Sequence, residues 1–296
     1  MIESIVLGIV QGITEFLPIS SSAHLVAIPY IFNWQWQGLV FDVALHFGTL
    51  LAIIIYFRKD LILIFRSAFT SSNAVIARSS ANQRPTPDYQ RNLLWMLLLA
   101  TIPGGVAGVF LEKEAATIFR SPLIIAINLA VFGLIIYFVD KHPLLDYSSN
   151  KSSSEKSNID CSLRQTAGRT IAIKDLSFKK AFLIGIGQML AIVPGVSRSG
   201  ATMATGRMLG LNRPDSARFS FLLAMPIMLG SALFEARHFT LEMFNFNFVL
   251  AFVTSFIFGL LAIKYLLKYL ERGNFGVFTV YRLVLAVIIF AVYFLK

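Results

Sequence analysis

The chain has 296 residues, 56% of them hydrophobic and 14% charged, with a mean hydropathy of +0.70. A soluble domain carries about 25% charged residues, so this composition excludes an ordinary water-soluble globule and points to lipid as the solvent. The net charge of +10 does not indicate nucleic acid, because the basic residues gather in a few loops between apolar runs, and the single cysteine, Cys161, excludes an intrachain disulfide framework.

A membrane-crossing helix needs about 20 mostly apolar residues. The first apolar run, 2–17, stops short at Pro18 and the triplet Ser20-Ser21-Ser22, then resumes over 23–32. It opens Met1-Ile2-Glu3 without basic residues and is interrupted by Gln11 and Glu15, which argues against a secretory signal. A full span follows at 39–57. Residues 58–91 carry Arg58, Lys59, Arg66, Arg78, Arg84 and Arg91, with Pro85 and Pro87 as breakers, and read as a basic loop. Spans are expected at 92–111 and 122–139, separated by a short loop. The polar, Ser-rich segment 140–179 reads as a flexible loop. The run 180–193 stops at Pro194-Gly195 and resumes over 200–211; three further spans cover 216–236, 247–266 and 277–295. The arms on either side of each break are too short to cross a bilayer at about 1.5 Å per residue. The expectation is therefore an all-α polytopic membrane protein, a single domain over 1–296 with six spanning helices and two re-entrant helix hairpins.

The basic residues of 58–91, those of 140–180, and Lys264, Lys268 and Arg272 fall on one side of this topology, which the positive-inside rule assigns to the cytoplasm. Both termini then lie outside, and the two hairpins enter from opposite faces. A shift of 177 residues aligns Gly8-Ile9-Val10-Gln11 with Gly185-Ile186-Gly187-Gln188, and Ser20-Ser21-Ser22-Ala23 with Ser197-Arg198-Ser199-Gly200. The halves, about 1–139 and 180–296, thus form an inverted repeat, an arrangement in which broken helices meet near the midplane around a buried polar site.

Both breaks carry candidate chemistry. In Pro194-Gly195-Val196-Ser197-Arg198-Ser199-Gly200, Ser197 or Ser199 can cap the resuming helix, and a helix N-terminus beside hydroxyls and a guanidinium suits an anion such as phosphate. No Gly-Lys-Ser/Thr follows, so this is not a Walker motif. In the first break, Gln11 and Glu15 share one helix face, Ser20, Ser21 and Ser22 supply hydroxyls, and His24 follows within a turn. A carboxylate at membrane depth is costly, so Glu15 is not there for packing alone. Together these groups offer a metal ligand, a nucleophile and a general acid or base. Asp42 and His46, at i and i+4, either line the site as polar or metal-binding groups or form a helix-end ion pair. Gly104 and Gly108 form a GxxxG pair, suited to close packing within the chain or to a homodimer face.

The segments Gln-Gly-Ile-Thr-Glu-Phe-Leu-Pro-Ile-Ser-Ser-Ser-Ala-His at 11–24 and Pro-Gly-Val-Ser-Arg-Ser-Gly at 194–200 resemble the two signatures of the bacitracin-resistance type undecaprenyl-diphosphatases, and the resemblance continues through Asp42–Thr49 and Phe219–Gly230. It implies a phosphatase of the bacterial inner (cell) membrane with an outward-facing site. That enzyme converts undecaprenyl diphosphate to the monophosphate with a divalent cation, Mg or Ca, and so recycles the lipid carrier for peptidoglycan. Membrane lipid is its surrounding partner and nucleic acid is not. It further implies Glu15, Ser21, His24 and Arg198 as catalytic residues. Gln11, Ser20, Ser22, Ser197, Ser199 and Gly200 would surround the substrate, and Glu15 would hold the cation, completed by phosphate oxygens, water or another side chain such as Asp42. Ser21 is the expected nucleophile with His24 as its base; direct attack by water assisted by His24 is the variant of that chemistry. This chain has Gln11 where the family admits Glu or Gln, and Ala23 in place of the usual glycine before the histidine. The alternative reading is a polyprenyl-phosphate flippase or transporter built on the same anion site.

Overall fold

The two Pro/Ser breaks divide the apolar runs into short helices. In the computed structural model, which describes residues 1–35, 38–69, 87–111, 114, 118–141, 170–236 and 245–296, the first break separates α1 (Ile2–Thr14) from α2 (Ser21–Phe32). The second separates α7 (Phe178–Met189) from α8 (Arg198–Met208). Between and after them run α3 (Leu39–Tyr56), α4 (Arg58–Phe69), α5 (Pro87–Phe110), α6 (Pro122–Lys141), α9 (Arg213–Ala236), α10 (Phe246–Leu270) and α11 (Gly276–Leu295). The fold is all-α: among the described residues the only β pairing is an isolated bridge between Ile171 and Leu211.

Among the described residues, five helices are long and apolar enough to cross a membrane: α5, α6, α9, α10 and α11. The sixth expected span is α3, whose 18 residues reach about 27 Å, slightly under a hydrocarbon core of ~30 Å. Large apolar side chains such as Leu233, Val284 and Val287 are exposed on the outer helix faces, as lipid contact requires.

The expected loop 58–91 needs correction. Its first part is α4, whose Ile64 and Ser67 are buried while Phe65 and Phe69 are exposed. The charges that suggested a loop sit along this short amphipathic helix, and Arg218 Nη2 on α9 reaches Asp60 Oδ1 at 2.5 Å. Pro87 opens α5 instead of breaking it, which a first-turn position permits because no amide hydrogen bond is lost there. Residues 70–86, and 142–169 with Cys161, lie outside the described residues. The end of the 140–179 segment is anchored: Ile171 N–H donates to Gly210 O at 2.8 Å, and Ser177 caps α7.

The packing follows the internal repeat. Helix α1 lies along α10 and α7 lies along α5; α3 packs on α10 and on α9, and α9 packs on α5 in turn. Exchanging α1–α2–α3 for α7–α8–α9 therefore exchanges α10 for α5. The repeated glycines explain how closely α1 and α7 approach these partners. A Cβ on Gly8 would stand 1.8 Å from Thr254 Oγ1 of α10, and one on Gly185 would stand 2.3 Å from Ala100 O of α5. Gly104, of the GxxxG pair, faces Gln188 of α7 inside the chain, while nothing lies within 4 Å of a Cβ at Gly108. At the end of α6, buried Asp140 accepts from Arg207 Nε (3.3 Å), Arg213 Nε (2.7 Å) and Phe275 N–H (3.1 Å), which ties α6, α8, α9 and the start of α11 together.

Candidate active site

The two breaks have the same local structure. Ser20 caps α2 with φ +72°, and Ser197 caps α8 with φ +75°. A non-glycine residue at positive φ costs of order 1–3 kcal/mol and persists only where the surroundings enforce it. Here each Oγ accepts from the N–H three residues on (Ala23 at 3.4 Å, Gly200 at 3.1 Å) and lies 3.2 Å from the hydroxyl two residues on (Ser22, Ser199). The serine identities of the repeat are thus the caps of two equivalent helix starts. Gly195, at φ +95°, is required for a further reason: a Cβ there would stand 2.7 Å from Ile125 O.

The hairpins meet through these tips. Gly195 N–H donates to Ser20 Oγ at 3.2 Å, and Ser199 Oγ donates to Leu17 O at 2.9 Å. Arg198 Nη2 pairs with Glu15 Oε1. Glu15, buried, also accepts from Ser21 Oγ at 2.6 Å and Gln11 Nε2 at 2.9 Å through Oε2, with His46 Nε2 3.9 Å from the same oxygen. A carboxylate in apolar surroundings needs such donors, and a guanidinium, a hydroxyl and an amide supply them. Arg198 Nη1 is buried with no hydrogen-bond partner among the described residues, which leaves an unused donor beside this cluster.

The cluster forms one wall of a cavity of about 600 Å³ that Glu15, Ser20, Ser21, Ser22, Ser197 and Arg198 line on the polar side. Apolar walls come from α2 (Leu25, Val26, Pro29), α3 (Val43, Phe47, Leu50) and α9 (Ile227, Met228). Asp42 and Arg120 complete the rim, their charged atoms 3.7 Å apart.

Not every expected site residue faces the cavity. Gln11, Ser199 and Gly200 are buried behind it: Gln11 supports Glu15, Ser199 ties to Leu17, and Gly200 is bound by the cap of Ser197. His24 is also set back. Its Nδ1 donates to Ser20 O at 2.7 Å, and its Nε2 lies 2.7 Å from Tyr281 Oη, with the two rings stacked at 5.6 Å. In the neutral ring the only lone pair therefore meets the tyrosine hydroxyl, so His24 is not arranged as the base of Ser21. The acceptor on Ser21 is Glu15, and the imidazole on the cavity side is His46, whose Nδ1 donates to the Asp42 backbone carbonyl at 2.7 Å. Asp42 and His46 therefore meet through this backbone carbonyl, one turn apart on α3. Neither Tyr281 nor Arg282 was among the expected site residues; a charge within an apolar span is the signal that could have found Arg282, whereas Tyr281 offers none, and only the fold brings α11 behind the tips.

Residues 4–288 match the family model described as bacitracin resistance protein BacA. The chain belongs to this family. Among curated relatives, the undecaprenyl-diphosphatase of Moorella thermoacetica is 41% identical over 296 residues, covering 100% of this chain and 99% of the relative. That of Pelotomaculum thermopropionicum is 42% identical over 292 residues, covering 98% and 96%. That of Methanosphaera stadtmanae is 36% identical over 294 residues, covering 97% and 96%. Family membership thus rests on nearly the whole sequence, spans included, and not on the two tips alone.

Proposed function

We propose that this chain hydrolyses undecaprenyl diphosphate to undecaprenyl phosphate and inorganic phosphate, recycling the lipid carrier for peptidoglycan and conferring bacitracin resistance. The observation that carries this reading is the Glu15–Ser21–Arg198 cluster on the polar side of a cavity whose remaining walls are largely apolar, in a chain whose full-length relatives bear that activity in their names. The unused Nη1 of Arg198 and the start of α8 receive the terminal phosphate. The prenyl chain lies against the apolar walls, where it loses no solvation.

Ser21 Oγ attacks the terminal phosphorus, and its proton passes to Glu15 Oε2. The Oγ–P bond forms as the anhydride P–O bond breaks, and undecaprenyl phosphate leaves. Water then attacks the phosphoserine as His46 Nε2 takes its proton, the Oγ–P bond breaks, and Glu15 returns the first proton to Ser21 Oγ as phosphate leaves. Arg198 neutralises charge on the transferred group throughout.

A divalent cation, magnesium or calcium, belongs to this reading. Among the described residues no group of three His, Cys, Asp or Glu forms a cage, and Glu15 already accepts from three donors. That donor set suits a cation held by one or two carboxylates, Glu15 and Asp42, with the remaining ligands from substrate phosphate and water, as magnesium prefers. When bound, the cation would supply charge neutralisation at the phosphate oxygens. Phosphate released from undecaprenyl diphosphate by purified protein in detergent, with and without EDTA, tests both points. A flippase releases no phosphate, and EDTA-insensitive release removes the cation.

An outward-facing site in the bacterial inner membrane is part of the same proposal. The cavity rim holds Asp42 in the first turn of α3 and Arg120 just before α6, whereas the far ends of these helices lead to Arg58-Lys59 and Lys141. The rim therefore lies on the face away from the basic segments. If two copies of the chain associate, the open face of α5 at Gly108 is where they would meet, and crosslinking of Gly108→Cys reads that contact.

A further inference from the structure

Arg282 is the largest fully buried side chain among the described residues, at 0% exposure within the apolar helix α11. Among the described residues no carboxylate lies against it, and each of its hydrogen bonds goes to a backbone carbonyl. Nε donates to Leu129 O of α6 at 3.1 Å. Nη2 donates to Asn128 O (3.3 Å), Gly195 O (2.7 Å) and Val196 O (3.2 Å). Nη1 donates to Pro18 O and Val196 O, both at 3.2 Å. One nitrogen therefore joins the first tip to the second, three residues before Ser21 and two before Arg198. Asn128 adds a donor from α6, Nδ2 to Pro194 O at 3.1 Å. Gly133, a turn further along α6, leaves the room for the arginine stem: a Cβ there would stand 3.3 Å from Arg282 Cβ and 3.5 Å from Nε.

A buried cation is retained in an apolar span at considerable cost, and a helix-capping role would not require it to reach three separate elements. The tips carry the residues that must act on one phosphorus, yet they come from hairpins that share no long packed interface. We propose that Arg282 is a positioning residue for the phosphatase reaction: by gathering the Pro18, Gly195 and Val196 carbonyls on one planar fork it sets the separation of Ser21 and Arg198. The fork is essential, because an ammonium offers three donors from a single point and cannot span carbonyls of both tips and α6. The inference rests on the diphosphatase reading above.

The test compares wild type, Arg282→Lys and Gly133→Ala, each purified in detergent and checked by size exclusion and thermal denaturation, with kcat and KM measured for phosphate release well below the melting temperature. The expected result for folded Arg282→Lys is a kcat lower by about 100-fold with KM changed less than about threefold, since the apolar walls that hold the prenyl chain are untouched. A brace that matters only for folding would lower the melting temperature and leave kcat per folded molecule unchanged, and that result overturns the proposal. If Arg282→Lys does not fold, Gly133→Ala decides: it keeps the guanidinium and displaces its stem, so kcat should fall about tenfold, and wild-type kcat overturns the proposal. Absence of phosphate release by wild-type protein would instead refute the diphosphatase reading and is distinguishable from either outcome.

Discussion

Glu15 accepts hydrogen bonds from Gln11, Ser21 and Arg198, and this carboxylate is where the chemistry of both tips converges. Arg198 keeps one nitrogen for Glu15 and another without a hydrogen-bond partner among the described residues, so a planar fork can hold the carboxylate and a phosphate together. Arg198→Lys should therefore lose about 100-fold in kcat/KM although the charge remains. Near wild-type phosphate release by the folded variant would show that charge alone suffices. Ser21→Ala addresses the nucleophile. Loss of nearly all turnover, together with a phosphoserine trapped in wild type by acid quench, is expected; substantial residual hydrolysis would assign the attack to water.

At the scale of helices, close approach of α1 to α10 and of α7 to α5 holds the hairpins in place. Gly185→Ala would drive a Cβ to 2.3 Å from the Ala100 carbonyl, a backbone atom that cannot swing aside, so α7 must shift. A loss of about 1–3 kcal/mol in stability is expected, as for overpacking elsewhere. Gly105→Ala is the control, because nothing lies within 4 Å of its Cβ and alanine favours the helix. Thermal denaturation in detergent should therefore separate the two variants, and equal melting temperatures would mean that the α7–α5 seam tolerates separation. The repeat identity of Gly8 and Gly185 thus reflects contact between the halves, just as Ser20 and Ser197 reflect equivalent caps.

At the scale of the whole molecule, orientation decides the role. Asn33 follows α2 and receives Lys296 Nζ on its Oδ1 at 2.6 Å, so it marks the face shared by the C-terminus and the cavity rim. With Cys161 replaced by serine, Asn33→Cys should react with a membrane-impermeant maleimide in intact cells whose outer barrier, if present, is permeabilised. In the otherwise native chain, Cys161 should react only after lysis, because its segment carries Lys151, Lys156, Arg164 and Arg169. The opposite pattern would turn the site toward the cytoplasm and end the outer-face recycling role.

Much of this architecture is written locally and can be read locally. Apolar run length determined the spans, Pro18 and Pro194 the breaks, and Ser20 and Ser197 the caps, because each depends on backbone hydrogen bonding within a few residues. The repeat showed that the two breaks are equivalent, and Glu15 and Arg198 stood out because charges in apolar runs are costly. Pairing across the chain was decided only by tertiary structure. It joined Ser21 to Glu15, turned His24 toward Tyr281, brought His46 to the cavity and set Arg282 behind both tips. Helix α4 was hidden for a related reason: its charges resemble a loop until Ile64 and Ser67 find a neighbour to pack against. A side chain's direction at a helix break depends on which helices close around it, and residues more than 250 positions away in sequence supply those helices here.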